Sequence, residues 1–234
     1  MYYEVSKEEV FHQLHSRQTG LTSEDARSRL IQYGKNELEQ THNLSKLHIF
    51  VSQFIDPIVF ILIIATVISF FLNEVLDAFV ILAILFLNAL LGFFQEYKAE
   101  RSIELLQKLN IPQTKVYRDG QLILLSSSNI VPGDVIVFEA GDKISADCRI
   151  IDATQLHIDE SILTGESTPV TKQIIHIGEK MPLADQKDMC FSGTTVASGR
   201  GKGIVVHTGM NTELGKIARL VSEVDTQETP LQKR

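Results

Sequence analysis

The stretch VPGDVIVFEAGDKISADCRIIDA, residues 131–153, decides the fold of the C-terminal half of the chain. In it, short runs rich in Val and Ile alternate with Pro-Gly-Asp and Gly-Asp turns, a pattern typical of short β-strands. The segments TKVYRDGQLILL (114–125) and GKGIVVHTG (201–209) on either side have the same character, and the first predicts a hairpin that turns at Asp119–Gly120. We therefore expect a compact β-rich domain over residues 111–234.

Two uncharged apolar runs precede this domain, IVFILIIATVISFFL (58–72) and AFVILAILFLNALLGFF (78–94). A helix needs about 20 mostly apolar residues to cross the hydrocarbon core of a bilayer. Both runs are apolar on every side rather than along one stripe, which favours a transmembrane hairpin over a buried hairpin in a soluble core. The predicted helices cover about residues 55–73 and 78–97.

The turn of the hairpin, residues 73–77, contains no basic residue. The basic residues lie on either side of the hairpin: Lys46 before it, and Lys98, Arg101 and Lys108 after it. The positive-inside rule then puts both ends of the hairpin, and both chain termini, in the cytoplasm of a multi-pass integral membrane protein. Good helix formers continue the second helix as a stalk to residue 110, where Pro112 follows. The hairpin and its stalk thus occupy residues 46–110.

Residues 1–45 predict a small helical segment. Ser6 with Glu9 forms a capping box, Thr22 or Ser23 can cap a second helix, and Gly34 lies where a helix-ending glycine belongs. The fold class is therefore α+β: a helical N-terminus, a two-helix membrane hairpin and a β-rich domain.

Composition excludes some functions. The formal net charge is −7 with no basic tract, which argues against a nucleic-acid-binding protein. The only cysteines, Cys148 and Cys190, match no zinc-ligand spacing and predict free thiols, so we expect no metal site in this chain.

The stretch IDESILTGESTPVTK, residues 158–172, carries the chemistry. Gly165 allows a tight turn, and Glu166 beside it becomes a projecting carboxylate. Such a group can orient and deprotonate a water if an electrophile comes within hydrogen-bond reach. Taken alone, a Thr-Gly-Glu-Ser sequence favours the plainer interpretation, a solvated glutamate of a loop.

Several stretches together resemble the P-type cation-transporting ATPases, most of all the type II group that includes the calcium pumps of the sarcoplasmic reticulum. They occur in the family's order: GLTSEDARSRLIQYGKNEL, the apolar hairpin with its stalk, VPGDVIVFEAGDKISADCRII, DESILTGESTPVTK, MCFSGTTVASGRGKGIVVHTGMNTELGKIARLV and TPLQKR. The resemblance implies an N-terminal part of such a pump, with the β-rich domain as its actuator domain, a distorted jelly-roll-like fold. It also implies an ATP-driven cation pump, with calcium favoured over sodium, potassium or protons.

In this family ATP phosphorylates an aspartate on another domain, and the actuator domain turns to bring its Thr-Gly-Glu-Ser loop against that phosphate. The resemblance gives Glu166 the role of positioning the hydrolytic water. It gives Thr164 and Gly165 the role of shaping the loop, and Ser167 that of supporting the glutamate. ATP and Mg²⁺ are the cofactors of the complete family protein. The implied partners are the lipid bilayer, the other pump domains and the transported cation.

The family's phosphorylation motif, Asp-Lys-Thr-Gly, is absent from the sequence. The glycine-rich SGRGKG, residues 198–203, is too short for a phosphate-binding Walker loop and is expected to be a turn before a strand. We therefore expect no cofactor site here and no catalysis by this chain alone. The alternatives are a membrane-anchored actuator that regulates a full pump, and an unrelated membrane-tethered β domain.

Overall fold

The computed structural model describes residues 2–38, 46–55, 57–109, 112–174 and 180–225. The chain divides into two compact units, one formed by Met1–Glu39 with Pro112–Arg234 and the other by Gln40–Ile111. The stretch TPLQKR at residues 229–234, which the resemblance to P-type ATPases assigns to the approach to a third membrane helix, lies outside the described residues.

The described helices are α1 (Lys7–Gln13), α2 (Ser23–Tyr33), α3 (Lys46–Ser52), α4 (Pro57–Phe71), α5 (Val75–Leu109), α6 (Ser161–Thr164) and α7 (Glu213–Asp225). The described strands are β1 (Gln113–Arg118), β2 (Gln121–Ser126), β3 (Val135–Glu139), β4 (Asp147–Asp159), β5 (Val170–Thr171), β6 (Met189–Cys190) and β7 (Thr195–His207). They form one antiparallel sheet in the order β2-β1-β3-β7-β4-β5, with β6 paired to β4. This confirms the β-rich domain.

The β1–β2 hairpin turns where the sequence predicts. Asp119 and Gly120 both have a positive φ, 52° and 76°, and Arg118 pairs with Gln121 across the turn. Two central residues with positive φ define a turn whose twist matches that of the strands, which is why Asp-Gly is favoured there.

The core of the sheet is built mainly by the long strands β4 and β7, which pair along most of their length with several register shifts. Their inward side chains, such as Ile150, Ile158 and Val205, are fully buried. Cys148 and Cys190 face each other across β4 and β6, and both are buried free thiols, as expected.

Both N-terminal helices have the predicted caps. The Ser6 hydroxyl accepts the N–H of Glu9 at 3.3 Å, and the Thr22 hydroxyl accepts that of Asp25 at 3.1 Å. Gly34 ends α2 with a φ of 77°. Capping depends on neighbours within one turn, which explains why local sequence predicts it well.

The same N-terminal segment is integral to the β unit. Val10 of α1 and Leu14, which follows α1, share an apolar cluster with Ile204 and Val206 of β7 and with Phe191, which follows β6. Burying each such side chain contributes about 1.5–3 kcal/mol.

Polar contacts fix the end of this segment to residues that connect the strands. The Asn36 side chain donates to the carbonyls of Ser127 and Ser145 at 2.9 and 2.8 Å, and it accepts the N–H of Gly209 at 2.7 Å. Gly20 lies so close to β1 that a Cβ there would be 1.8 Å from the Tyr117 carbonyl oxygen. The first 38 residues are thus part of the domain that carries the candidate site.

The second unit is a helical unit in which α3 and α4 each pack on α5. Phe50 of α3 makes an edge-to-face contact with Phe93, with 6.0 Å between ring centroids, and the Gln53 amide donates to Glu96 at 2.6 Å. Helix α5 has 35 residues and is therefore about 52 Å long.

In the described part of this unit, one helix is long and apolar enough to cross a membrane: Val75–Ala99, 25 residues with a mean hydropathy of 2.4. Helix α4 is shorter than predicted. Its 15 residues begin at Pro57 and span about 22 Å, against a hydrocarbon core of about 30 Å. Asn73, with a φ of 63°, follows its end. The described residues of this unit therefore contain one candidate membrane helix, and the hairpin remains a prediction.

Candidate functional site

The predicted Thr-Gly-Glu-Ser residues lie on a loop between β4 and β5. The loop leaves the sheet after Asp159, passes through the single turn of α6 and returns at Val170. Val170 and Thr171 pair with Ile158 and His157, so the sheet itself closes the loop. Residues 165–169 at its tip are exposed.

The backbone of Glu160 builds the turn. Its carbonyl accepts the N–H of Leu163 at 2.9 Å, the N–H of Thr164 at 3.0 Å and the Thr164 hydroxyl at 3.1 Å. Leu163 also packs against the apolar cluster formed by α1 and the sheet. Three bonds on one carbonyl and one apolar anchor fix α6 where the strand ends.

Gly165 reverses the chain after this turn. It is in the left-handed conformation, with φ 77° and ψ −3°, and its N–H donates to the Ser161 carbonyl at 2.9 Å. No atom lies within 4 Å of the position that a Cβ would take. The need for glycine is therefore one of backbone conformation and not of space.

Glu166 follows at the exposed tip. Its N–H donates to the Thr164 hydroxyl at 3.3 Å, so the backbone of the glutamate is tied to the turn while its side chain faces solvent. Ser167 is also exposed, and among the described residues no hydrogen bond joins its side chain to Glu166. Support of Glu166 by Ser167 therefore stays a prediction.

The charge of the tip limits what it can do. Between Gly165 and Pro169 the single charged side chain is Glu166, and no cation lies among these residues. An anionic tip without a cation or a cluster of free N–H donors does not hold a phosphate by itself. It can accept a proton or orient a water beside an electrophile that another surface presents.

Two acidic residues at the base of the loop behave differently from Glu166. Hydrogen bonds from the Ser161 hydroxyl and then from its N–H, at 3.0 Å, lower the pKa of the half-buried Asp159. Burial raises the pKa of Glu160, and the nearby Lys172 ammonium opposes that rise. Lys172 Nζ lies 2.6 Å from Glu160 Oε1, and both side chains are at most 1% exposed.

Sequence reasoning missed this buried pair. It concentrated on the four residues of the tip, although Glu160 and Lys172 belong to the same stretch, residues 158–172. The sequence does carry a signal for the pair. A charged residue stands at each end of the loop: Glu160 comes two residues after the apolar Ile158, and Lys172 comes two residues after the apolar Val170.

The glycine-rich SGRGKG is not a turn before a strand, as the sequence predicted, but lies inside β7. Gly199, with a φ of 80°, accommodates an irregular stretch of the β4–β7 pairing, where a Cβ would be 2.1 Å from the Gln155 carbonyl. A segment inside an antiparallel strand cannot form a phosphate-binding loop ahead of a helix. In the described residues no group of three or more His, Cys, Asp or Glu side chains could hold a metal ion. Among the described residues, neither SGRGKG nor a cluster of acidic side chains therefore fits an ATP or Mg²⁺ site.

Comparison with known protein families agrees with this architecture. Residues 108–222 match the model of the P-type ATPase actuator domain, and residues 2–69 match the N-terminal domain of cation transporters and ATPases. The chain belongs to the P-type ATPases and contains their N-terminal and actuator domains.

Its relatives include named cation pumps. The chain is 45% identical over 220 residues to the calcium-transporting ATPase of Bacillus subtilis, an alignment that covers 94% of this chain and 25% of that protein. It is 43% identical to calcium-transporting ATPase 1 of Bacillus cereus, over 99% of this chain and 27% of the relative. A P-type sodium-transporting ATPase of Plasmodium falciparum is 40% identical over 94% of this chain and 17% of the relative. The chain thus spans about a quarter of the length of the bacterial calcium-transporting relatives it matches.

Proposed function

We propose that this chain provides the actuator domain and first membrane hairpin of an ATP-driven calcium pump. In this role Glu166 positions the water that removes phosphate from an aspartyl-phosphate on another domain. The proposal depends on one observation above all: a single carboxylate at the exposed tip of a loop whose base is fixed in the sheet.

The chemistry asked of Glu166 is small and well defined. The oxygen of a water attacks phosphorus, the bond between phosphorus and the aspartate oxygen breaks, and the carboxylate of Glu166 accepts a proton from the water. Thr164 and Gly165 shape the turn that presents the carboxylate and shield the site from solvent, and Ser167 supports the glutamate. Phosphoryl transfer depends mostly on positioning and electrostatics, so a rigid loop suits this reaction because it holds the carboxylate in one place.

The membrane part completes the proposal. We place α4 and α5 as a hairpin whose short turn, with Glu74, faces outward together with Asp77 at the start of α5, while Lys98 and Arg101 of α5 face the cytoplasm. Both termini are then cytoplasmic. Movement of the actuator domain, a distorted jelly roll in this proposal, is passed along the stalk part of α5 to the ion path. ATP and Mg²⁺ bind to the other domains of the complete pump.

Calcium is the proposed cargo because the Bacillus relatives carry that name. Uptake of radioactive calcium into vesicles would test it, with the chain placed in a chimera that replaces the matching quarter of the Bacillus subtilis protein. ATP-dependent uptake of sodium and not of calcium would contradict the assignment.

The same chimera tests the role of Glu166. After phosphorylation by labelled ATP and a chase with unlabelled ATP, Glu166→Gln should slow loss of the label by about 10²-fold or more, because a general base contributes about 10²–10⁴-fold. Phosphorylation itself should be unchanged. The control is Glu24→Gln, which neutralises an exposed glutamate of α2. Decay at the normal rate in Glu166→Gln would remove the assigned role.

A further inference from the structure

The two arms of the functional loop are joined by a buried ion pair. One arm leaves the sheet at Glu160, the other returns to it at Lys172, and Lys172 Nζ lies 2.6 Å from Glu160 Oε1. The two side chains are 1% and 0% exposed. The pair therefore connects the start and the end of the segment that presents Glu166.

Lys172 is held on several sides. Its N–H donates to the Leu156 carbonyl at 2.9 Å, and its ammonium donates to the Gln186 carbonyl at 3.2 Å. The ammonium also lies 5.5 Å from the centre of the Phe191 ring, a favourable cation–π distance. The lysine is thus fixed to β4, to the segment before β6 and to the residue after β6, independently of the loop tip.

Glu160 transmits that position to the turn. Its side chain meets Lys172, while its carbonyl accepts the three hydrogen bonds from Leu163 and Thr164 that build α6. The Thr164 hydroxyl in turn accepts the N–H of Glu166. A continuous series of polar contacts therefore runs from the core lysine to the backbone of the proposed water-positioning residue.

Stability alone does not account for this pair. The second carboxylate oxygen of Glu160 is buried and has no hydrogen-bond partner in the described part of the chain. Removing two charges from water costs several kcal/mol per ion, and apolar residues of similar volume are often as stabilising as a buried ion pair or more so. An apolar pair, however, would not hold the two arms at one fixed separation and direction.

We propose that Glu160 and Lys172 form a positioning pair that fixes the Thr164–Ser167 turn so that Glu166 meets its water in one orientation. The inference rests on the proposed function for its consequence in catalysis. Its structural content, that the pair orders the loop, can be tested in this chain by itself.

The first experiment measures loop order. In the full chain in detergent, amide hydrogen exchange of Leu163, Thr164 and Gly165 is compared between wild type and Glu160→Leu/Lys172→Met. We expect exchange about tenfold faster at these amides, with the melting temperature unchanged or higher. The matched control is Arg118→Met/Asp134→Leu, since that ion pair has its other polar partners, Asn129 and Val131, outside the loop.

The possible results separate positioning from general stability. Unchanged exchange in the loop overturns the proposal. Faster exchange throughout the sheet with a lower melting temperature also overturns it, because the pair would then support the fold and not the turn. If the double variant does not fold, Glu160→Gln keeps the shape of the side chain and should still speed exchange in the loop, by about threefold.

The second experiment measures the consequence in the chimera. The apolar double variant should slow decay of the phosphoenzyme roughly 10- to 100-fold with phosphorylation unchanged, since a displacement near 1 Å can cost about 10²-fold. If Glu166→Gln slows decay but the double variant does not, the positioning role is wrong and the proposed function remains. If Glu166→Gln has no effect, the proposed function is wrong, whereas the exchange experiment still decides whether the pair orders the loop.

Discussion

The base and the tip of the functional loop each carry a glutamate, and the two residues differ in almost every physical respect. Glu160 is 1% exposed, lies 2.6 Å from an ammonium group and has a pKa raised by burial. Glu166, one turn and one reversal further on, is exposed and is tied to the turn through its backbone N–H. One glutamate belongs to the fold, and the other is presented to a reacting partner.

The contrast shows how a domain can combine rigidity with access. A carboxylate that must reach another surface has to be exposed, but an exposed loop is easily disordered. Placing a second carboxylate in the core, a few residues earlier, fixes the start of the loop without covering its tip. Variants of the base, of the tip and of the turn between them test this division.

The largest effect should come from removing the lysine alone. Lys172→Met leaves Glu160 buried without its cation, and breaking a buried pair in this way costs about 3–5 kcal/mol. Denaturant unfolding in detergent, followed by far-ultraviolet circular dichroism, measures this loss. Glu166→Gln, at the tip, should change the free energy of unfolding by less than about 0.5 kcal/mol.

The control for that comparison is Lys187→Met, which removes an exposed lysine near the same strands. It should behave like the tip variant. Equal losses in Lys172→Met and Lys187→Met would mean that the base of the loop is no more structural than its surroundings, and the contrast would not hold.

Local sequence predicted much of the fold and little of this division. Caps at Ser6 and Thr22 and the turn at Asp119–Gly120 were found because each depends on neighbours a few residues away. The loop and its glycine were found for the same reason.

What the sequence did not predict depends on distant contacts. The Asn36 side chain donates hydrogen bonds to the carbonyls of Ser127 and Ser145, about a hundred residues away in the chain. The residues next to Asn36 in the sequence do not indicate those partners. Likewise, Asp159 and Glu160 look alike in the sequence, and only packing by Lys172 and the sheet makes one of them buried. The length of α4 was overestimated because apolar composition continues beyond the residues that form the helix.

A third carboxylate extends the comparison to pH. Asp147 is buried at the start of β4 and accepts the N–H groups of Ser192 and Glu213, each at 2.8 Å, the second of which begins α7. Burial raises its pKa from 3.8 to about 6. The folded state then binds this proton more tightly than the unfolded state, so stability from this group is highest in acid and falls as the pH rises towards about 6.

The test compares wild type with Asp147→Asn across pH. Relative to the variant, the free energy of unfolding of the wild type should decrease by about 2–3 kcal/mol between about pH 4 and about pH 7, with most of the change complete by about pH 6.5. Subtracting the free energy of unfolding of the variant from that of the wild type removes the contributions of all other titrating groups. A constant difference would mean that Asp147 does not titrate in this range.

Replacing Gly165, the glycine that reverses the chain, should have a smaller effect, and Gly120 provides a matched control within the same chain. Gly165 and Gly120 have nearly the same φ, 77° and 76°, and neither has an atom within 4 Å of a Cβ position. Alanine should therefore cost about 1–2 kcal/mol at each, because the left-handed conformation penalises a side chain equally in both turns. Melting temperatures of the two variants should agree, and phosphoenzyme decay in the chimera should slow for Gly165→Ala alone. A normal decay rate for that variant would show that the loop tolerates a changed reversal.

The smallest effect should come from the hydroxyl that links the base to the tip. Thr164 donates to the Glu160 carbonyl at 3.1 Å and accepts the N–H of Glu166 at 3.3 Å. Thr164→Val keeps the shape and removes both bonds, so we expect a loss of about 0.5–1 kcal/mol in unfolding free energy, low because the site is partly exposed and water can replace a partner. Thr164→Ser keeps the hydroxyl and should recover most of that loss.

Decay of the phosphoenzyme in the chimera should be fastest in wild type, slower in Thr164→Ser and slowest in Thr164→Val, since the hydroxyl matters for catalysis only through the backbone of Glu166. If Thr164→Val decays at the normal rate and Thr164→Ser decays slowly, the methyl group and not the hydroxyl connects the base to the tip, and the transmission from Glu160 to Glu166 is of another kind.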